Sequence, residues 1–316
     1  MWSDSAPVER FVEAIERLTA SCPFASQLGI AASGGPDSVA LLLLANHAYP
    51  GQVVAATVDH GLRPDAASEA AFVAQLCVER GISHSILTPS QPITGNIQSA
   101  ARAVRYDLLK GWAAEVGCNW IATAHHADDQ LETLLMRLVR GSGVDGMSGI
   151  RAVNGQIIRP LLRFTKAELI AICDDAGVTP VQDPSNRDPD FDRVRMRQYL
   201  GVAPHPFDPL AATRSASALA DASAALTWMT TQLAGERIVI AATGISLNPT
   251  ALPRELKRRL LLVALQQIDA DIRVRGDSIE RAMDDLEAGK TLTLGNILCK
   301  GGAVWHFSPA PPRQNG

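Results

Sequence analysis

Ser33-Gly34-Gly35-Pro36-Asp37-Ser38 places two glycines, two hydroxyls and a carboxylate between one apolar segment ending at Ala32 and another resuming at Val39. Glycines let the main chain approach an oxyanion, successive amides and a helix N-terminus attract it, and hydroxyls add donors. A carboxylate beside such a cradle repels phosphate unless a cation lies between them, so Asp37 implies Mg²⁺ bridging to phosphate oxygens. The competing reading is an ordinary strand-to-helix turn. A Walker loop is excluded, because G-x-x-x-x-G-K-[ST] is absent and no lysine precedes Lys110. Gly141-Ser142-Gly143-Val144-Asp145-Gly146 matches the dinucleotide pattern G-x-G-x-x-G, but it follows a helical segment and reads as a helix C-cap and loop.

Three further stretches carry polar groups in usable patterns. In Asn96 to Tyr106, Gln98, Arg102 and Arg105 share a helix face, so two guanidiniums can converge on phosphates or stay in solvent. Ala124-His125-His126-Ala127-Asp128-Asp129-Gln130-Leu131-Glu132-Thr133 lacks the H-x-x-x-H spacing of helical zinc sites. Asp129 and Glu132, at i and i+3, share a face and suit a cationic group or a metal. Val58-Asp59-His60-Gly61-Leu62-Arg63 either meets a ligand or shapes a turn.

The elements that position these groups alternate. Helical spacing of Phe11, Val12, Ile15 and Leu18 predicts a first helix over 8–20. Strands follow at 28–32, 52–59, 83–88 and 120–124, separated by helices starting near 39, 66, 98 and 128, with a further helix over 165–176. The expected fold class is α/β: a Rossmann-like parallel sheet with helices on both faces and ligands at the carboxyl ends of the strands. Three prolines, Pro204, Pro206 and Pro209, mark the expected boundary between a catalytic domain, 1–203, and a smaller, mainly helical domain, 204–316. In the latter, 210–233 and 253–267 read as helices, 237–247 as strands, and 309–316 as disordered.

The 316 residues, 47% hydrophobic and 20% charged, exclude a disordered chain or a small stapled module. The longest apolar run, Val39 to Ala45, is too short for the roughly 20 residues of a membrane span. With no signal-peptide pattern and five scattered cysteines, the expected location is the cytoplasm. The net charge of -4 speaks against a nucleic-acid partner, but its distribution does not. Residues 1–130 hold 7 basic and 13 acidic residues, whereas 137–166 hold six basic residues against Asp145 alone. Phosphate contact needs local positive charge, not a basic total.

The loop at Ser33 to Ser38 resembles the pyrophosphate (PP) loop of the N-type ATP pyrophosphatases. Together with D-H-G-L-R at 59–63, N-x-Q-x-x-A-R-x-x-R-Y at 96–106, T-A-H-H-x-D-D-Q-x-E-T at 123–133, R-G-S-G at 140–143, R-P-L-L at 159–162 and D-x-S-N at 183–186, it resembles the tRNA(Ile)-lysidine synthetase family from about Leu28 to Arg197. One departure is Val194, where the family usually has asparagine after Phe191-Asp192-Arg193.

The resemblance implies a PP-loop ATPase that adenylates the wobble cytidine of the CAU-anticodon isoleucine tRNA and releases pyrophosphate. Attack by free L-lysine then gives lysidine and AMP, changing codon reading from AUG to AUA. It implies that Ser33, Gly34, Gly35, Pro36, Asp37 and Ser38 hold ATP, with Asp37 on Mg²⁺. Asp37, Arg105, His125 and Asp129 are the implied catalytic residues, and Asp129 and Glu132 the lysine site. A nearby carboxylate or His125 accepts the proton that the amine must lose. Arg137, Arg140, Arg195 and Arg197 are tRNA candidates, as are Arg254, Lys257 and Arg258 on a later basic face that otherwise serves only solvation. A homodimer stays open beside a monomer. The alternatives are a tRNA thiolase or another ligase with the same loop, and, outside enzymes, an ATP-binding regulatory module.

Overall fold

The computed structural model describes residues 6–23, 26–61, 66–91, 97–181, 192–202, 205–274 and 276–311, with main chain alone for 97–99. Asn96, the Gln98 side chain, Arg63, 183–186 and 312–316 lie outside the described residues. Contacts divide the chain into two compact units, Met1–Ala220 and Asp221–Gly316.

The first unit begins with helix α1 (Ala6–Thr19), followed by β1 (Leu28–Ala31), α2 (Pro36–Ala48), β2 (Val53–Val58), α3 (Ala66–Glu79), β3 (Ser83–Leu87) and α4 (Ile97–Glu115). Then come β4 (Ile121–Ala122), α5 (Ala127–Val139), a four-residue α6 (Val144–Met147), β5 (Val153–Asn154), β6 (Ile157–Ile158), a 3-10 turn over Pro160–Arg163, α7 (Lys166–Asp175) and α8 (Asp192–Val202). The sheet order is β3-β2-β1-β4-β6-β5, parallel except for β5 against β6. Every residue of β1 is buried, as is α2 from Ser38 to Ala45, because helices cover both faces of a parallel sheet. That burial explains the unbroken apolar run of α2, which a surface helix would interrupt with polar residues.

The topology decides where a ligand sits. From β1 the chain builds outward to β2 and β3 on one side, and to β4 and β6 on the other. The crevice between the ends of β1 and β4 is therefore a topological switch point. Gly34 to Asp37 follow β1, and His125 to Asp129 follow β4, so the fold brings both polar stretches to that crevice.

The short hairpin β5–β6 and helix α8 are additions to the expected pattern. Two-residue strands carry too few residues to show a period, and the run of arginines in α8 hides its apolar positions. Val194, at the departure from the family pattern, is buried in α8. Residues 144–147, expected as loop, form α6, while Gly141 at φ +65° ends α5 as expected.

Helix α9 (Pro209–Arg237) carries the boundary between the units. Its first turns bond back to the first unit: Thr213 Oγ1 donates to the Leu162 carbonyl (3.1 Å), and Arg151 Nη1 to the Ala220 carbonyl (3.3 Å). Those bonds are why the contact boundary falls within α9 and later than the prolines. The second unit continues with β7 (Ile238–Ala241), β8 (Gly244–Leu247), α10 (Arg254–Ile268), α11 (Gly276–Glu287), β9 (Thr291–Leu294), β10 (Ile297–Lys300) and β11 (Trp305–Pro309). Its antiparallel sheet, β7-β8-β11-β10-β9, packs Leu247, Ile297, Trp305 and Phe307 against Leu260, Leu265 and Met283. With more helical than strand residues, the unit is nevertheless organised around a sheet of which only β7 and β8 were expected.

Candidate active site

The loop after β1 is shaped by its own hydroxyls. Gly34 takes φ +81°, and Gly35 caps α2 in an extended conformation. Ser38 Oγ accepts the Ser33 N–H (3.0 Å) and donates to the Gly35 carbonyl (3.0 Å), while the Ser33 and Ser38 hydroxyls share a 3.2 Å hydrogen bond. The Val181 N–H donates to the Gly34 carbonyl (3.0 Å), tying the loop to the chain beyond α7. The loop opens on a cleft of about 1030 Å³, lined also by Arg102 and Arg105 from α4, His60, His125, and Asp129 and Glu132 from α5.

Asp37 stands between two cations. Lys166 Nζ lies 2.6 Å from Asp37 Oδ1, and His126 Nε2 lies 3.6 Å from Asp37 Oδ2. Burial pushes the Asp37 carboxyl up, but His126 and Lys166 outweigh it and hold it below its ordinary value. His126 is itself ringed by Asp128 (3.4 Å) and Asp129 (3.5 Å). Burial opposes its charge, yet Asp128 and Asp37, joined by Asp129, raise it to about 9. An imidazolium thus anchors three carboxylates. His126 was missed in the sequence reading, although three acids around one histidine needed a buried cation.

His125 behaves in the opposite way. Burial, reinforced by Arg159, Arg102 and Arg105 and opposed by Asp129, lowers it to about 3. Its Nδ1 lies 3.1 Å from Thr123 Oγ1. Burial and the neighbouring arginines thus favour the neutral imidazole of His125 in the cleft. Arg105 faces the same space, its acidity raised by burial and by Arg102. His60 also lines the cleft, whereas Asp59 Oδ1 accepts the Gly61 N–H (2.8 Å) and shapes the turn.

The acidic pair on α5 already has a partner. Arg197 Nε donates to Glu132 Oε1 (2.6 Å) and its Nη2 to Asp129 Oδ1 (3.1 Å), while Arg193 Nε lies 3.3 Å from Glu132 Oε2. Burial raises the Glu132 carboxyl against the pull of Arg197. Arg197, expected at the tRNA, lines the cleft, as does Arg193. The remaining tRNA candidates differ in surroundings. Arg137 is exposed with no ion pair among the described residues; Arg140 and Arg195 both meet Asp192. In the second unit, Arg254 bonds Glu280 and Asp284, Lys257 bonds Glu287, and Arg258 bonds Glu255. Gln130 serves the loop after α6: its Oε1 accepts the Ile150 N–H (2.6 Å) and its Nε2 donates to the Ile150 carbonyl (3.2 Å).

Residues 7–203 match the PP-loop domain family. The chain is 43% identical to the tRNA(Ile)-lysidine synthase of Zymomonas mobilis over 314 residues, covering 96% of this chain and 94% of that relative. The chain belongs to the tRNA(Ile)-lysidine synthase family. A second member, from Novosphingobium aromaticivorans, is 41% identical over 90% of each chain. The fold also resembles the U34-tRNA thiolase NcsA from Methanococcus maripaludis, with a TM-score of 0.55 at 17% identity over 68% of this chain and 80% of that one. No described helix is long and apolar enough to cross a membrane. Within the lysidine synthase family, the cleft between the PP loop and α5 is the candidate active site.

Proposed function

We propose that this chain carries out the reaction of its family. ATP adenylates the C2 oxygen of the wobble cytidine in the CAU-anticodon isoleucine tRNA, pyrophosphate leaves, and the ε-amine of free lysine displaces AMP to give lysidine. The observation that carries this reading is the convergence of an oxyanion-binding loop and a paired-carboxylate site on one cleft, with Arg105 and His125 on its wall. A regulatory nucleotide module has use for the loop but none for Asp129 and Glu132.

Ser33 to Ser38 would bind the phosphates through main-chain amides and the serine hydroxyls. The donor set fits Mg²⁺, which takes one or two carboxylates and leaves its other positions to phosphate oxygens and water. Asp37, kept ionised at the mouth of the loop, would hold it. When bound, the metal neutralises phosphate charge and favours pyrophosphate as a leaving group. Arg105 adds a positive charge in the lining of the same cleft.

Asp129 and Glu132 would receive the lysine ammonium in competition with Arg197. The amine must lose a proton before it attacks. Glu132 is the better-matched acceptor, because burial raises its carboxyl while His125 is held at about 3. In the wall of the cleft, a neutral His125 hydrogen-bonds without adding charge. Arg137, Arg140 and Arg195 would contact tRNA from the first unit, and Arg254, Lys257 and Arg258 from the second. Among the described residues no cysteine lines the cleft, and burial pushes Cys77 up to about 11 and Cys173 to about 12, which disfavours the thiolase alternative. Pyrophosphate release that requires tRNA, and that continues beyond one equivalent per enzyme only when lysine is present, tests the reading. Multiple-turnover release that ignores lysine, or that consumes sulfide, contradicts it.

A further inference from the structure

Lys166 has no part in the chemistry assigned above. It is the first residue of α7, and its backbone is fixed without help from its side chain. The Lys166 N–H donates to Asp128 Oδ2 (2.8 Å), while Thr165 and Glu168 close the helix start through a reciprocal cap, with the Thr165 N–H on Glu168 Oε2 (2.7 Å). The side chain is thus free to serve another purpose. It crosses to α2 and sets its ammonium 2.6 Å from Asp37 Oδ1, on the same cleft as Ser33, Gly35 and Ser38.

Three observations give that position a meaning. First, the ammonium stands on the carboxylate that a divalent cation would claim, at the mouth of a loop built to receive oxyanions. Secondly, the pair is not sealed in the core: the side chains of Lys166 and Asp37 are 37% and 29% exposed, so the contact adds little to stability and can be exchanged. Thirdly, Asp37 keeps another cationic neighbour, His126, when Lys166 departs. A compact ammonium on a flexible four-carbon stem can change partners, whereas a planar guanidinium clamped in place cannot do so readily.

We infer that Lys166 is a phosphate-binding residue of the cleft: its ammonium rests on Asp37 in the free protein and passes to the phosphate oxygens of ATP, and then of pyrophosphate, when these occupy the loop. The inference rests on the adenylation reading above. Lys166 acts as a mobile charge, held beside the loop until an anion arrives. Its contribution falls on the nucleotide and on the leaving group, not on the lysine substrate.

Lys166→Met and Lys166→Arg test this by steady-state kinetics with tRNA, ATP, Mg²⁺ and lysine. Lys166→Met is expected to raise the KM for ATP and the inhibition constant for inorganic pyrophosphate about tenfold each, leaving the KM for lysine in place. Lys166→Arg is expected to recover part of both. Constants for ATP and pyrophosphate that move by less than about twofold in Lys166→Met overturn the inference, and so does an equal loss for lysine. Should Lys166→Met fold poorly, reductive methylation of the unaltered protein decides: inorganic pyrophosphate with Mg²⁺ should protect Lys166, and undiminished labelling overturns the inference. If the unaltered protein releases no pyrophosphate from ATP at all, the adenylation reading fails. The labelling arm still reports whether Lys166 meets phosphate.

Discussion

Arg197 Nε lies 2.6 Å from Glu132 Oε1, so the carboxylate proposed for the substrate ammonium already carries a cation of the protein. The same guanidinium reaches Asp129 at 3.1 Å. Two acids on one helix face create a demand for positive charge, and α8 meets it from outside the sheet. On the proposed reading, substrate lysine and Arg197 compete for one pair. Arg197→Met should destabilise the fold by about 1–3 kcal/mol, less than for a fully sealed pair because the guanidinium is partly exposed. Added lysine should then raise the melting temperature of the variant more than that of the unaltered protein, since ligand binding stabilises the folded state by mass action. A variant that lysine does not stabilise would place the amine elsewhere.

The neutral state of His125 sets a pH dependence. Its folded pKa, about 3, lies below the ordinary value of 6.5, so between these limits the unfolded chain binds more protons. This contribution to stability is fully present above pH 6.5 and is lost as pH falls toward 3. Glu132 acts in the opposite sense, because its raised carboxyl favours the fold as pH drops. Comparing the unaltered protein with His125→Gln isolates the imidazole. From pH 7 to pH 5 the unaltered protein should lose about 1–2 kcal/mol more than the variant in chemical denaturation. Parallel curves would mean that His125 is ordinarily basic.

Gly149 tests how the loop after α6 is held. It takes φ +61°, and a Cβ there would lie 2.4 Å from Gln130 Oε1, the atom that accepts the Ile150 N–H. Gly149→Ala should cost about 1–3 kcal/mol in denaturant unfolding through strain and overpacking. Adding Gln130→Ala should cost less than the sum of the two single changes, because the clash goes with the side chain. Strict additivity would show that the glycine matters for its backbone angle alone.

On α10, each basic residue proposed for tRNA also meets a carboxylate, three of them on α11. Replacing Arg254, Lys257 and Arg258 together with glutamine should raise the KM for tRNA and leave that for ATP unchanged. The slope of log affinity against log salt should become shallower by about 2–3, one unit or slightly less per lost phosphate contact. An unchanged slope would reduce Arg254 and Lys257 to pins between the two helices and Arg258 to a contact within α10.

Much of the first unit was legible because its burial is one-dimensional. Fully buried strands and an apolar α2 announce themselves as runs, and Gly34 and Gly35 mark the turn between them. The acidic face of Asp129 and Glu132 followed from helical spacing. What occupies that face did not, since Arg197 lies 65 residues further on and reaches it only through the packing of α8 on α5. The two adjacent histidines show the same limit. Residue type could not tell His125, held neutral, from His126, held charged, because the difference comes from Asp37 and Asp128 on one side and from arginines on the other. In the second unit, β9 to β11 were hidden by short strands whose alternation spans only a few residues.

The central claim is that lysine is joined to a cytidine in the anticodon of an isoleucine tRNA. Mass spectrometry of nucleosides from CAU-anticodon isoleucine tRNA, after incubation with this protein, ATP, Mg²⁺ and lysine, tests it directly. The account predicts a cytidine heavier by one lysine less one water, absent when ATP or lysine is withheld and lost in Asp37→Asn. Unmodified cytidine under complete conditions, or a sulfur-containing base in its place, would contradict it.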